Sequence, residues 1–355
     1  MLNSNQPHPQ PATGITKAQI LAYAEEQALL LMNEKNQPQN AGLFVLRSAD
    51  DWMDDALTEP ESRMLFGEFW HEGELCILFA DTNLGKSILA VQIGNSISHG
   101  KSIAPLTLQT PAQAVVYFDF ELSKKQFQHR YQNTEGLRHQ WSPLFVRAEI
   151  DHDNASPTGN LSFEDYLYLS LQKAVEDTQA HILIIDNITY LSNETEKAKD
   201  ALPLMKHLKQ MKSKYNLSIL VLAHTPKRDP SRPITRNDLQ GSKMLMNFCD
   251  SAFSIGESQK DRSLRYLKQI KQRNTEEIYG EDNVCLFQIT KPQCFLQFDF
   301  VGYSREWEHL KERSPEDKEY LKTKVNELHE QGKSIREIAA LLEISRGKVE
   351  RTLKA

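Results

Sequence analysis

The sequence predicts an α/β fold in which a mainly parallel sheet is covered by helices. Between Gly73 and about Gly256, short apolar runs alternate with amphipathic stretches, which is the pattern that parallel strands and crossover helices produce. Three more apolar runs follow, separated by turn-rich segments, and they predict antiparallel strands at one edge of the sheet. A small all-helical C-terminal part completes the predicted fold.

Each element is predicted from its own pattern of apolar residues. Strands are expected near residues 75–79, 115–120, 182–186, 218–223 and 252–255. Helices are expected between them, near residues 86–98, 164–177 and 201–214. The antiparallel edge strands are expected in the segments "SLRYLKQIKQ", "VCLFQIT" and "CFLQFDF".

The composition changes along the chain predict five parts. Residues 1–14, rich in Pro, Asn and Gln, are expected to be a disordered leader. Residues 15–64 form an N-terminal helical segment, residues 65–302 the α/β core, residues 303–314 a charged linker and residues 315–355 the helical tail. The N-terminal segment places apolar residues at roughly helical spacing, so that it packs either on its own core or on a partner: Ile20, Tyr23, Ala24, Leu30 and Leu31.

The overall composition limits the classes of function. A chain of 355 residues with 39 % hydrophobic and 25 % charged residues is typical of a globular protein. The net charge of −6 gives no global attraction to nucleic acid, so any basic contact surface must be local. Its four cysteines are widely separated, and no apolar run approaches the ~20 residues of a membrane span. These features predict a reduced, cytoplasmic protein without a membrane anchor.

The segment "ADTNLGKS" aligns with the phosphate-loop pattern G-x-x-x-x-G-K-[ST], between a predicted strand and a predicted helix. Such a loop surrounds phosphates with backbone N–H groups and a helix N-terminus. The nucleotide-binding residues are expected to be Ala80, Asp81, Thr82, Asn83, Leu84, Gly85, Lys86 and Ser87. Lys86 would neutralise the β- and γ-phosphates of ATP, and the Ser87 hydroxyl would ligate Mg²⁺. Ala80 replaces the first glycine and is tolerable if its φ angle is negative; a chance glycine turn is the alternative.

Three other strand ends carry polar residues that fit phosphoryl transfer. Asp186 ends the run "AHILIIDNITYL" and is expected on the magnesium side of the site. Asp119 and Glu121 are two residues apart, so both side chains are expected on one face. Glu121 is the candidate general base, and Asp119 either supports it or exchanges roles with it. His224 is a candidate γ-phosphate sensor, although a structural role is the alternative for each of these residues.

This set of motifs resembles RecA-type ATPases, in the branch of AAA family ATPases that includes the DnaB-like and RepA-like hexameric helicases. "FELSKKQFQHR" resembles the segment that carries the catalytic glutamate in DnaB-type proteins, which supports Glu121. "LKQIKQRNTE" resembles a K-x-R-N motif whose lysine and arginine reach the γ-phosphate of the neighbouring subunit. The resemblance assigns that role to Lys271 and Arg273, for which a solvated edge strand is the alternative. It also implies that the protein forms a homo-oligomer, with a hexamer as the expected form.

A loop at residues 226–243 carries a local positive charge that can follow a phosphate backbone. Its expected contacts to single-stranded DNA in a ring channel are Lys227, Arg228, Arg232, Arg236 and Lys243. The loop has no aromatic residue for base stacking, and an ordinary solvated loop is the alternative.

The tail sequence "GKSIREIAALLEISRGKVERTLKA" predicts a helix, a short turn and a second helix. Seven apolar residues are expected to form its small core: Ile335, Ile338, Ala339, Leu342, Ile344, Val349 and Leu353. The pattern resembles the helix-turn-helix of resolvases and sigma-type factors, with Glu343 where a glycine often stands and with Ser345 as a cap. Arg346, Lys348 and Arg351 on the second helix are then expected to contact duplex DNA; protein docking is the alternative.

Together the resemblances imply Mg²⁺-dependent ATP hydrolysis coupled to DNA helicase or translocase work in replication or mobilisation of a genetic element. A second hypothesis is a nucleotide-switched DNA-binding regulator or recombination mediator that never unwinds DNA. A third is a protein-remodelling ATPase of the same fold, whose tail binds a partner protein and not DNA.

Overall fold

The structure is a computed structural model, and it describes residues 17, 21–23, 25, 39–41, 44–151, 153, 161–188, 201–226, 228–239, 242–312, 315–342, 344 and 346–354. The predicted leader and most of the predicted N-terminal helix, including Ile20, Ala24, Leu30 and Leu31, lie outside these residues. The chain divides into two compact units, Met1–Glu61 and Ser62–Ala355.

The first unit contains a short hairpin and one helix. Strand β1 (Gln39–Ala41) pairs with β2 (Phe44–Leu46) in the antiparallel direction, and helix α1 spans Ala49–Thr58. Ser48 caps α1 by accepting a hydrogen bond from Asp51 N, and the Asp51 side chain accepts one from Ser48 N in return.

The second unit is built on a sheet in which the described residues form nine strands. They are β3 (Leu75–Ala80), β4 (Val115–Asp119), β5 (Phe145–Ala148), β6 (Ile182–Asp186), β7 (Ser218–His224), β8 (Ser251–Glu257), β9 (Leu264–Lys271), β10 (Val284–Thr290) and β11 (Gln297–Ser304). The spatial order is β11-β10-β9-β8-β3-β7-β6-β4-β5. Strands β3 to β8 pair in parallel, whereas β9, β10 and β11 add in the antiparallel direction at one edge. The predicted α/β fold with antiparallel edge strands is thus confirmed.

Helices cover both faces of this sheet. They are α2 (Lys86–His99), α3 (Lys124–Tyr131), α4 (Phe163–Thr178), α5 (Ala201–Tyr215) and α6 (Ser242–Phe248). Alternate residues of β3 point to two separate hydrophobic cores, which is the period-2 pattern of a strand buried on both faces. Leu75, Ile77 and Phe79 join the core that includes α4 and α5, and Cys76 and Leu78 join the core that includes α2.

The parallel strands bring four chain segments together at their carboxyl ends. Ala80, the last residue of β3, pairs in register with His224 of β7, and Asp119 of β4 pairs with Asp186 of β6. Because parallel strands end at the same edge, these four residues lie along the crevice in which open α/β sheets bind ligands.

The C-terminal tail forms α7 (Pro315–Glu330), α8 (Ile335–Leu341) and α9 (Arg346–Lys354). Its core is made by Val325, Ile338, Ala339 and Val349, with Ile335, Leu342, Ile344 and Leu353 packed against it. All seven predicted core residues are therefore in place. Ser334 caps α8 by accepting a hydrogen bond from Glu337 N, whereas Glu343 and Ser345 lie outside the described residues. None of the helices in the described part of the chain is long and apolar enough to cross a membrane.

Candidate active site

The phosphate loop connects the end of β3 to the start of α2. Gly85 precedes the helix with φ +98°, a left-handed conformation that favours glycine. A Cβ atom at Gly85 would lie 2.9 Å from both Ile289 Cδ1 and Phe298 Cζ, so this position also lacks room for a side chain. Ala80, by contrast, is a buried strand residue whose φ angle is not positive. An alanine is therefore tolerated where the phosphate-loop pattern has its first glycine.

Lys86 begins α2 and is buried within the loop. Its Nζ donates hydrogen bonds to Ala80 O at 2.9 Å and to Asp81 O at 3.1 Å, and it lies 3.2 Å from His224 Nδ1. Burial lowers the pKa of Lys86, while the carboxylates of Asp186 and Glu121 oppose this shift. Because Lys86 is the first residue of α2, its ammonium group lies next to the N-terminus of a helix. Its positive charge there adds to that of the helix dipole.

Asp186 ends β6 and is almost fully buried. Tyr117 donates a hydrogen bond to its Oδ2 at 2.7 Å, whereas Oδ1 is buried and has no hydrogen bond of normal geometry among the described residues. Burial raises the pKa of Asp186 to about 6, even though the hydroxyls of Ser87 and Tyr117 lower it. The carboxylate is thus poorly satisfied by the protein alone.

This arrangement fits a magnesium ion. Among the described residues there is no group of three or more His, Cys, Asp and Glu side chains that could hold a metal by itself. Mg²⁺ is usually held by one or two protein oxygens together with phosphates and waters. The unsatisfied carboxylate oxygen of Asp186 and the adjacent Ser87 hydroxyl have the required chemistry.

Glu121, His224 and Asn187 meet at the same edge. Asn187 Nδ2 donates a hydrogen bond to Glu121 Oε1 and lies 3.0 Å from His224 Nε2. His224 Nε2 lies 3.4 Å from Glu121 Oε1. The hydrogen bond with His224 lowers the pKa of Glu121 more than burial raises it. Glu121 is therefore ionised at neutral pH and able to accept a proton.

Asp119 has a different role from Glu121. Strand β4 ends at Asp119, so the expectation that both carboxylates share one face of a strand is wrong. Arg147 Nε donates to Asp119 Oδ2 at 2.8 Å, and Asp119 Oδ1 accepts from the backbone N of Glu121 at 3.2 Å and of Leu122 at 2.9 Å. Asp119 thus holds the turn that carries Glu121, and an exchange of roles between them does not fit these contacts.

Lys271 and Arg273 lie at the amino ends of the parallel strands, opposite the end that carries the phosphate loop. Lys271 pairs with Ala252 near the start of β8, which is parallel to β3. Its Nζ donates to the carbonyls of Met246 and Cys249. A strand of the length of β3 is about 17 Å long, so neither residue is near the phosphate loop of its own subunit.

The basic residues of the 226–243 loop are partly engaged within the protein. Arg228 Nη2 donates to Arg232 O at 2.6 Å, and Arg232 Nε lies 3.3 Å from Asp229 Oδ2. Arg236 is exposed, but its Nε donates to Ile270 O at 3.1 Å. Lys227 and the side chain of Lys243 lie outside the described residues.

The three predicted DNA contacts of the tail differ in exposure. Arg346 and Arg351 are exposed on α9, and Arg351 Nε donates to Gly347 O at 3.1 Å. Lys348 is half-buried and lines a cavity of about 450 Å³ together with Trp307 and Lys311. The structure therefore exposes two of the three predicted contact residues on one helix.

Comparison with known proteins identifies a family and similar solved structures. No curated protein matches the sequence. A KaiC-like protein from the hyperthermophilic archaeon Pyrococcus horikoshii OT3 is 12 % identical, with a TM-score of 0.45 over 64 % of this chain and 90 % of that chain. The family described as "AAA domain" matches residues 44–230, which is more than half of the chain. The chain therefore belongs to the AAA domain family, and its parallel sheet and phosphate loop make it a RecA-type P-loop ATPase.

Proposed function

We propose that the chain hydrolyses ATP with Mg²⁺ as an oligomeric RecA-like motor, and that hydrolysis drives helicase or translocase work on DNA in replication or mobilisation of a genetic element. The observation that carries this proposal is the division of the expected catalytic residues between the two ends of the parallel strands. Glu121 and His224 lie beside the phosphate loop, whereas Lys271 and Arg273 lie at the opposite end of the strands.

Within one subunit, the residues at the phosphate loop bind the nucleotide and activate water. The N–H groups at the start of α2 and the ammonium of Lys86 hold the phosphates. Ser87 and Asp186 would hold Mg²⁺, which neutralises phosphate charge. Glu121 orients the attacking water and accepts its proton, and Asn187 and His224 hold the Glu121 carboxylate in place.

Between subunits, Lys271 and Arg273 complete the site of a neighbour. Cationic groups that approach the γ-phosphate stabilise the charge that develops during phosphoryl transfer, and such an arginine is worth about 10³-fold to 10⁵-fold in turnover. Since these residues lie far from their own loop, hydrolysis requires a closed ring or a filament, for which a hexamer is the proposed form. The 226–243 loop would face single-stranded DNA in the channel, and α9 would contact duplex DNA.

The contacts of the basic loop also favour a second candidate. Arg228, Arg232 and Arg236 each bond to the protein itself, which reduces the charge available to a DNA backbone. A nucleotide-switched DNA-binding regulator or recombination mediator needs only the duplex contact of the tail and no strand displacement. Such a protein would bind duplex DNA without unwinding it.

An ATPase assay over a range of protein concentrations tests the proposal, with and without single-stranded and duplex DNA. We expect turnover per subunit to rise with concentration, to increase with single-stranded DNA and to be lost in Lys86→Ala. Strand displacement separates the motor from the regulator. Turnover that is independent of protein concentration would contradict the shared site.

Mixed subunits test the division of the site directly. Lys86→Ala subunits retain the trans-acting cations, and Arg273→Ala subunits retain the phosphate loop. Lys86→Ala alone should be inactive and Arg273→Ala alone should keep only a small residual turnover, whereas their mixture should recover part of the wild-type turnover. A mixture that stays inactive would remove the support for Arg273 acting in trans.

A further inference from the structure

Asp250 lies directly before β8, at the end of the parallel strands opposite the phosphate loop, and three groups converge on it. Its Oδ1 accepts a hydrogen bond from Arg273 Nη1 at 3.3 Å. Its Oδ2 accepts from Lys212 Nζ at 2.8 Å and from Leu75 N at 3.0 Å. Lys212 donates in addition to Gly73 O at 2.7 Å. The carboxylate is therefore fixed by α5 and by the start of β3, independently of Arg273.

The ion pair leaves most of the Arg273 guanidinium available. Its side chain is 49 % exposed, whereas that of Asp250 is 14 % exposed. Among the described residues, Nη1 is the guanidinium nitrogen that makes a hydrogen bond, while Nε and Nη2 make none. A guanidinium held by one nitrogen keeps its other donors for a phosphate, and the hydrogen bond limits the positions that the group can take.

Lys271 is held by the same segment of chain. Its Nζ donates to the carbonyls of Met246 and Cys249 at the end of α6, directly before Asp250. Residues 246–250 therefore form a single support for both cations of the K-x-R-N motif. Burial raises the pKa of Asp250, but the hydrogen bond from Leu75 N and the charge of Lys212 lower it more, so this support carries a negative charge at neutral pH.

We propose that Asp250 is a positioning residue for hydrolysis, which holds the Arg273 guanidinium in the direction that reaches the nucleotide of the neighbouring subunit. This inference rests on the proposed shared site. Asp250 itself touches no nucleotide; it acts through Arg273 by restricting the arginine to one geometry before the subunits meet. A catalytic group that is displaced by about 1 Å can lose about 100-fold in rate.

The test is a double-mutant cycle with Asp250→Asn and Arg273→Ala, measured as kcat and KM of the assembled protein. Asn retains an oxygen for Leu75 N but loses the charge that holds Arg273. We expect Asp250→Asn to lower kcat by about 10-fold to 100-fold with little change in KM. In the Arg273→Ala background the same substitution should have no further effect on kcat.

The matched control is Lys209→Met, which removes an exposed cation of the same helix α5 that makes no contact with Asp250 and leaves Arg273 in place. It should retain wild-type kcat. Subunit mixing adds a readout that a folding defect would not produce: Asp250→Asn should complement Lys86→Ala but should fail to complement Arg273→Ala. If Asp250→Asn lowers the melting temperature too far, the double variant Lys212→Met with Asp250→Asn, which leaves no unpaired ammonium group beside the amide, takes its place under the same criteria.

The outcomes separate the two hypotheses. If Arg273→Ala keeps only residual turnover and Asp250→Asn is fully active, the positioning role is wrong and the shared site stands. Should Arg273→Ala have wild-type turnover, the shared site fails and the positioning role fails with it. Equal losses for Asp250→Asn in both backgrounds would indicate a structural role and would overturn the inference.

Discussion

At the scale of single residues, Gly85 and Ala80 occupy the two ends of the phosphate loop and differ in what they require. Gly85 has a φ of +98° and no space for a Cβ atom, whereas Ala80 is an ordinary strand residue. We expect Gly85→Ala to weaken nucleotide binding at least about tenfold, because the loop must shift to relieve strain and contacts with Ile289 and Phe298. Ala80→Gly should leave binding within about threefold and cost about 0.5–1 kcal/mol of stability.

Calorimetric titration with magnesium-nucleotide and thermal unfolding of both variants check this pair. Tight binding by Gly85→Ala would show that the loop adapts and would contradict the argument. Strong loss in Ala80→Gly would mean that the alanine contributes to binding beyond its backbone.

Asp186 gives a prediction about pH and stability. Its pKa is raised to about 6 in the folded protein, so between pH 4 and 6 the native state binds the proton more strongly than the unfolded state. Stability from this group is therefore present at low pH and is lost as the pH rises through about 6. Asp186→Asn, which cannot ionise, should be more stable than wild type by up to about 3 kcal/mol at pH 8.

Chemical denaturation in the presence of a chelator, at pH 5 and at pH 8, measures this difference. The advantage of Asp186→Asn should shrink towards pH 5, where the wild-type carboxyl is largely protonated. An advantage that is equal at both pH values would show that the charge on Asp186 is not the cause. The variant should nevertheless be inactive, because a neutral amide does not replace the carboxylate expected to hold Mg²⁺.

The sequence located the strand-end acids but not all of their partners. Asp186 and Glu121 follow apolar strands, so their approach to the phosphate loop follows from parallel pairing alone. Asn187, which donates a hydrogen bond to Glu121, was not identified from the sequence. Its position directly after the strand-end carboxylate Asp186 was the signal that could have indicated it. The partners of Asp119 were also beyond prediction, because Arg147 lies on β5, a strand that sequence reasoning did not identify.

At the scale of elements, burial explains which parts were predictable. Strands β3, β6 and β7 are apolar along nearly their whole length, and their predicted bounds agree with the structure to within one residue. Strand β5 has four residues and is only half-buried at the edge of the sheet, so its pattern is too short and too polar to detect. Helices α3 and α6 are short, and the contacts that stabilise them come from tertiary packing.

A buried ion pair connects β9 to the turn after β11. Lys268 Nζ and the Glu306 carboxylate form a salt bridge with side-chain exposures of 7 % and 0 %, and Glu306 Oε1 accepts a hydrogen bond from Ile234 N at 2.7 Å. Glu306→Ala leaves the Lys268 charge and the Ile234 N–H buried without this partner. We expect it to lower the free energy of unfolding by about 3–5 kcal/mol.

The double variant Lys268→Met with Glu306→Gln removes both charges and keeps an oxygen for Ile234 N. It should be clearly more stable than Glu306→Ala in denaturant unfolding. Two variants of equal stability would show that the charge imbalance is not what destabilises the single substitution.

At the scale of the whole molecule, the phosphate-loop sheet and the tail have separate hydrophobic cores. The tail core contains Val325 and Val349, and its exposed face presents Arg346 and Arg351. Neither arginine contributes to that core, so both can be replaced without loss of folding. The tail can therefore be tested for DNA contact while the nucleotide site stays intact.

The double substitution Arg346→Ala with Arg351→Ala should weaken duplex binding and leave DNA-independent ATP turnover unchanged. Two lost phosphate contacts would reduce the slope of log affinity against log salt concentration by about 2. Fluorescence anisotropy over a series of salt concentrations measures the slope. The matched control is Lys101→Ala, which removes an exposed cation outside the helical tail. If the double variant keeps the wild-type slope, α9 does not contact the DNA backbone, and the tail is better explained as a surface that binds another protein.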